Sequence, residues 1–318
     1  MKALLLYFML IATSIQAQSQ KGLYADNSSQ ALNLSPILNE ISGITYYKGQ
    51  LLAIQDEQGT LYTLSTKNGS IIDSFTFNKK GDFEALTSSK NTIWAYETKG
   101  NLWKIEYFNE STKTKINKYH TPFSKINDVE GIAYDAENNQ LLMACKESPL
   151  LGDEAYTIKD SKYIYAFDLE SKTLNNSPII QYNFETIQLF LAANPSTILH
   201  PKVQKSLNKG KKLNLKPTDI AIHPLTQDIF ILCGTAYSIL VFSAKNYALK
   251  AIYSLDDSIF NQAEGLTFLP NGDFYISTEK DKIKDKEEEN FEKGSSVLVK
   301  EKARNGRIYF YKSHILGY

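Results

Sequence analysis

Three glutamates stand at the head of apolar stretches: Glu84 in DFEALTSS, Glu130 in DVEGIAYD and Glu264 in QAEGLTFL. Two further segments, EISGITYY and KPTDIAIH, align with them and put Ser42 and Thr218 at the same position. Glu40, Asp82 and Asp128 each lie two residues earlier. A carboxylate beside residues that must be buried loses hydration, so its charged form is disfavoured unless something answers it. If the five positions converge, the acids either keep their protons or share a cation. Oxygen donors with no histidine or thiol beside them suit calcium best among the common cations. The alternative is mechanical: each glutamate accepts backbone N–H bonds from a neighbouring segment and staples the two together. The two roles are compatible.

Convergence requires a repeating scaffold, and the sequence contains one. The aligned positions 42, 84, 130, 218 and 264 recur at intervals of 42, 46, 88 and 46 residues. Each motif is followed by a second apolar strand: LLAIQDE (51–57), TIWAYET (92–98), LLMACKE (141–147), DIFILCG (228–234) and DFYISTE (273–279). A third strand with alternating aromatics comes next, as in NLWKIEYF (101–108) and GRIYFYK (306–312), and a fourth, such as SIIDSFTF (70–77), closes most units. Four short antiparallel strands per repeat of about 45 residues predict an all-β propeller. Blades bury their faces by stacking around an axis, so the start of every innermost strand lies at one mouth of a central channel. Glu84, Glu130 and Glu264 then form a ring with Ser42 and Thr218, and Glu40, Asp82 and Asp128 form an outer acidic rim.

Five blades are expected. The 88-residue interval leaves six as the alternative, but residues 184–215 read as an insertion, helical at ETIQLFLAA and then basic and irregular. A second insertion, 280–305, has mixed charges and reads as a solvated loop or short helix. The last unit shows three strands, and the segment 21–35 is expected to supply its fourth, closing the ring.

Residues 1–19 read as a secretory signal peptide: one early lysine, an apolar run from Ala3 to Ala12, then a small-x-small exit at Ala17-Gln18-Ser19. No later stretch is long and apolar enough to span a bilayer. The remaining residues, 20–318, are expected to form one exported propeller domain, periplasmic, cell-surface or secreted. Lysine plus arginine and aspartate plus glutamate are equal at 35 each, so no general electrostatic pull towards nucleic acid exists. Cys145 and Cys233 end apolar strands without metal-type spacing and are expected to be buried free thiols, a disulfide being the alternative. The four histidines occupy unrelated repeat positions, which argues against a Ser-His-Asp triad.

Taken in order, EISGITY, DFEALT, DVEGIAYD, KPTDIAIHP and NQAEGLTFLPNGDFYISTE resemble the SdiA-regulated family of bacterial exported propeller proteins, over roughly residues 35–315. CGTAYS at 233–238 departs from the pattern because it lacks the acid found after the other second strands. The resemblance implies a periplasmic or cell-surface propeller with calcium binding and no established reaction. Two functions follow as expectations. One is recognition of a small molecule or partner at an ion-bearing channel mouth. The other is a calcium-dependent hydrolase of the lactonase or phytase-like type. A weaker third is docking of the basic stretch KVQKSLNKGKK (202–212) on an acidic polymer or headgroup surface.

Overall fold

The computed structural model describes residues 30–110, 113–152, 161–210, 214–280, 286–288, 297–299 and 304–316. The expected signal peptide, 1–19, lies outside the described residues.

Strand β1 (Gln30–Asn33) precedes the first blade, which runs β2 (Ile41–Tyr47), β3 (Gln50–Gln55), β4 (Gln58–Leu64) and β5 (Ile71–Asn78). The second blade is β6 (Phe83–Ser89), β7 (Thr92–Glu97), β8 (Asn101–Glu106) and β9 (Lys115–His120). The third is β10 (Val129–Asp135), β11 (Gln140–Cys145) and β12 (Lys162–Asp168), with its outer strand split into β13 (Thr173–Leu174) and β14 (Ile180–Tyr182). The fourth is β15 (Asp219–Ile222), β16 (Ile229–Cys233), β17 (Ser238–Phe242) and β18 (Leu249–Ser254). In the fifth, β19 (Ala263–Phe268) pairs β20 (Phe274–Thr278), and a short pair, β21 (Lys286–Glu288) and β22 (Val297–Val299), intervenes before β23 (Arg307–Tyr311). All pairings are antiparallel, and β1 adds to β23 with Leu32 opposite Ile308. The propeller therefore has five blades, closed by the N-terminal strand.

Innermost strands touch in the ring order β2, β6, β10, β15, β19 and back to β2. Between each adjacent pair of blades lies its own apolar core. This is what a face of alternating Leu, Ile and aromatic residues demands, since one four-stranded sheet cannot cover both its sides. Cys145 and Cys233 sit in two different cores as buried free thiols.

The stretch between β14 and β15 forms two helices, α1 (Phe184–Ala193) and α2 (Pro201–Asn208). Asn183 and Thr186 cap α1 reciprocally, and Ile187, Phe190 and Val203 pack onto the core between blades three and four. Residues 201–208 of the basic half are thus a helix where irregular chain was expected. Pro201 starts it, Val203 anchors it and the lysines face solvent. Within 280–305, residues 286–288 and 297–299 pair as strands rather than forming loop or helix.

Candidate channel-mouth site

A β-bulge builds the ring. In four blades the register between innermost and second strand skips one residue, and the skipped residue is Ser42, Glu84, Glu130 or Glu264. A bulged residue leaves the ladder and its side chain is re-aimed. The next residue is Gly43, Ala85, Gly131 or Gly265, small because the neighbouring inner strand passes close by. A Cβ on Gly131 would lie 2.8 Å from the Ile220 nitrogen.

Residues two before the bulge serve through their backbone. The carbonyls of Asp82, Asp128 and Gln262 accept N–H bonds from Thr98 (2.8 Å), Lys146 (2.8 Å) and Glu279 (2.9 Å). Each donor is the first residue after a second strand, so each is drawn towards the mouth. Thr98 then donates its hydroxyl to Glu84 Oε1 at 3.0 Å. The Lys146 ammonium lands on Glu130 Oε1. Glu279 accepts a bond from Gln262 Nε2 at 2.5 Å.

Lys146 is the residue that sequence reasoning missed. The acid after that second strand, Glu147, stands one position on, and its carboxylate pairs with Lys216. Strand register was the usable signal, since Lys146 follows Cys145 as Thr98 follows Glu97. The loop carrying Lys146 is pinned from below. Buried Lys162 donates to the carbonyls of Lys146 (2.6 Å) and Glu147 (3.0 Å), and Asn127 Nδ2 donates to those of Ser148 and Leu150.

The electrostatics follow from burial. Glu130 is only 7 % exposed; burial pushes its carboxyl up, Lys146 opposes that, and Glu264 and Asp128 add to it. Burial alone would lower Lys146, but Glu130, Glu264 and Asp128 outweigh it and hold the ammonium charged. Burial pushes Glu84 up to about 7, with Thr98 opposing and Asp82 and Asp128 adding. Burial also raises Asp128. The structure thus gathers Glu130, Glu264, Asp128 and Lys146, with Glu84 close enough to feel Asp82, Asp128 and Lys146.

The other expected residues do less at the mouth. Ser42 Oγ donates to the Glu40 carbonyl at 3.4 Å, and Glu40 is exposed. Thr218 donates its hydroxyl to the Ala263 carbonyl at 2.7 Å, joining blade four to blade five. Asp219 takes the position that is small elsewhere; its buried carboxylate accepts the Ile220 N–H (2.8 Å) and, across the blade boundary, the Leu266 N–H (2.7 Å). Stapling between blades is done here by Thr218 and Asp219, in the blade without an acid after its second strand. Of the acids at the second-strand ends, Glu97 turns to Asn101 and Trp103. Asp56 is raised by burial and by Glu40, Glu57 and Asp82.

A family model for SdiA-regulated proteins matches residues 21–199, more than half of the sequence. The chain belongs to the SdiA-regulated family. No curated protein matches the sequence. Among solved structures, this SdiA-regulated propeller is similar to glutaminyl cyclase from Myxococcus xanthus, at 10 % identity over 90 % of this chain and 97 % of that one, TM-score 0.51. It is less similar to a protein of unknown function from Bacteroides thetaiotaomicron (11 % identity, 78 % of this chain, 53 % of that one, TM-score 0.46). Weaker still is the PQQ-bound aldose sugar dehydrogenase of Streptomyces coelicolor (10 % identity, 89 % and 97 %, TM-score 0.44). At these identities the likeness is one of fold alone.

Calcium, implied for the SdiA-regulated family by the resemblance, would find oxygen donors at this mouth together with a cationic neighbour. Lys146 already sits on Glu130, and among the described residues no three acidic, histidine or cysteine side chains stand close enough to share an ion. An ammonium held among carboxylates does the neutralising that a metal would otherwise do.

Proposed function

We propose that this protein is an exported recognition propeller, acting in the periplasm or at the cell surface, whose channel mouth selects a positively charged group on a small molecule or partner. The observation that carries the reading is the seating of the Lys146 ammonium against Glu130, within the field of Glu264 and Asp128. Carboxylates that accept this ammonium offer the same charge and oxygens to a ligand's ammonium or guanidinium when Lys146 turns away. Export is supported by the pattern of residues 1–19. Calcium competes for the same place, so its binding should be weak in the parent and tighter once Lys146 is gone.

The test is thermal shift on the parent and on Lys146→Gln, with calcium, an alkylammonium or guanidinium ligand, and a carboxylate ligand, all at one ionic strength. The reading expects cationic ligands to raise the melting temperature and carboxylates to leave it unchanged. It expects the calcium effect to be several-fold larger in Lys146→Gln. Stabilisation by carboxylates alone would overturn the reading. An equal calcium response in both proteins would make calcium the ordinary occupant and Lys146 a bystander.

A second reading, hydrolysis of an ester, lactone or phosphoester, is favoured by Glu84. A carboxyl near 7 is divided between its acid and base forms at neutral pH and can take a proton from a water. Turnover of any member of such a panel that disappears in Glu84→Gln would support it.

A further inference from the structure

The acidic mouth uses one end of the channel only. At the other end, the far halves of β2, β6, β10, β15 and β19 surround a half-open cavity of about 290 Å³. Every blade contributes to its wall, and among the described residues no charged side chain lines it. Thr45, Thr87, Ser88 and Thr267 bring hydroxyls, Tyr46 and Tyr134 stand half-buried beside them, and the other lining residues, such as Leu86, Ile132 and Phe268, are apolar.

Backbone geometry adds to this polarity. Each inner strand is the edge of its sheet, hydrogen-bonded on one side only. Alternate N–H and C=O groups of such an edge turn away from the ladder, here towards the axis. Some are met by side chains across the blade boundaries: Thr267 Oγ1 accepts the Tyr46 N–H (3.1 Å), and Ser88 Oγ donates to the Tyr46 carbonyl (2.9 Å) and accepts from the Thr45 hydroxyl (3.1 Å). Blades one, two and five therefore add hydroxyls to the wall, and all five add the backbone groups of a strand edge. A buried polar wall needs partners, from water or from a ligand with the same mixture of groups.

We infer that this end of the channel is a second binding site, for a small neutral polyol of about monosaccharide size. Charge decides against ions: an anion or cation entering here would lose hydration with no counter-charge in the wall. An apolar guest would take water from the axis-facing N–H and C=O groups of the inner strands without replacing its hydrogen bonds. Size fits a guest of this class, since the cavity lies at the lower end of the range for small-molecule sites, about 300 Å³. The site is independent of the acidic mouth, and its ligand need not be the mouth's.

The inference is tested by saturation-transfer NMR and calorimetry with glucose, galactose and myo-inositol on the parent, on Thr87→Phe and on Glu84→Gln. Thr87 is half-buried and lines the cavity, so a phenyl ring there fills it. The expected result is saturable binding of at least one polyol by the parent, weakened at least tenfold in Thr87→Phe and unchanged in Glu84→Gln, which alters only the opposite mouth. Should Thr87→Phe fail to fold, Thr267→Val removes one wall hydroxyl at constant size and is expected to weaken binding several-fold. Absence of saturable polyol binding, leaving water only, would overturn the inference, and so would binding that neither variant weakens.

Discussion

Glu84 is the residue whose charge the fold changes most usefully. Its usual value is 4.5, and burial raises it to about 7 in the folded protein. Folding therefore favours the protonated form, so this contribution is complete below pH 4.5 and is lost as pH rises through 7. Glu84→Gln keeps the acceptor for Thr98 and removes the charge. The variant should match the parent near pH 4 and exceed its stability by about 1–3 kcal/mol at pH 8, read from urea melts across that range. A parent-to-variant difference that does not change with pH would place Glu84 in a solvated setting. Lys146 acts in the opposite sense. Lys146→Gln leaves the Glu130 carboxylate buried without its cation, a loss of about 3 kcal/mol at neutral pH. Lys146→Gln combined with Glu130→Gln should recover most of that loss in the same melts, because the pair, not either member, is what burial tolerates.

At the scale of the element, the bulge does the work. It places a polar side chain at the head of an inner strand without disturbing the alternation behind it, and the following small residue lets the next blade approach. Gly131→Ala would set a methyl 2.8 Å from the Ile220 nitrogen and 2.9 Å from the Asp219 carbonyl carbon, both backbone atoms that cannot swing aside. The expected cost is about 1–3 kcal/mol, read as a lower denaturation midpoint. The same change at Gly49, where nothing lies within 4 Å, meets no such contact; its cost comes only from a φ of 85°. Equal losses at the two positions would show that close blade approach is not what selects glycine at 131.

For the whole molecule, closure is the decisive contact. Strand β1 covers the free edge of β23, and Leu32 is fully buried in the core between the last blade and the first. Deleting residues 1–33 should lower the melting temperature of the entire protein and promote self-association through the bared edge, measured by melting curves and light scattering. A truncated protein that melts like the parent and stays monomeric would show that ring contacts between inner strands suffice for closure.

Much of this was legible along the chain. A period of about 45 residues sets the strand count per blade, and a motif at the head of each first strand sets the number of blades, because both depend on local pattern alone. The closing strand was legible too, since the last unit is one strand short. Positions 84, 130 and 264 could be aligned as a ring for the same reason. What occupies the space between them could not. Lys146 reaches Glu130 because a bulge shifts the register by one residue and an Asp128 carbonyl draws in the residue after the second strand. Neither event leaves a mark in hydrophobic periodicity. Thr218 and Asp219 became staples rather than ring members because their partners, Ala263 and Leu266, lie in the next blade, some 45 residues on. The sequence alone determined the repeat and its acids. Only the packing of blade against blade decided which acids meet, and that the charge between them is answered by a lysine of the same chain.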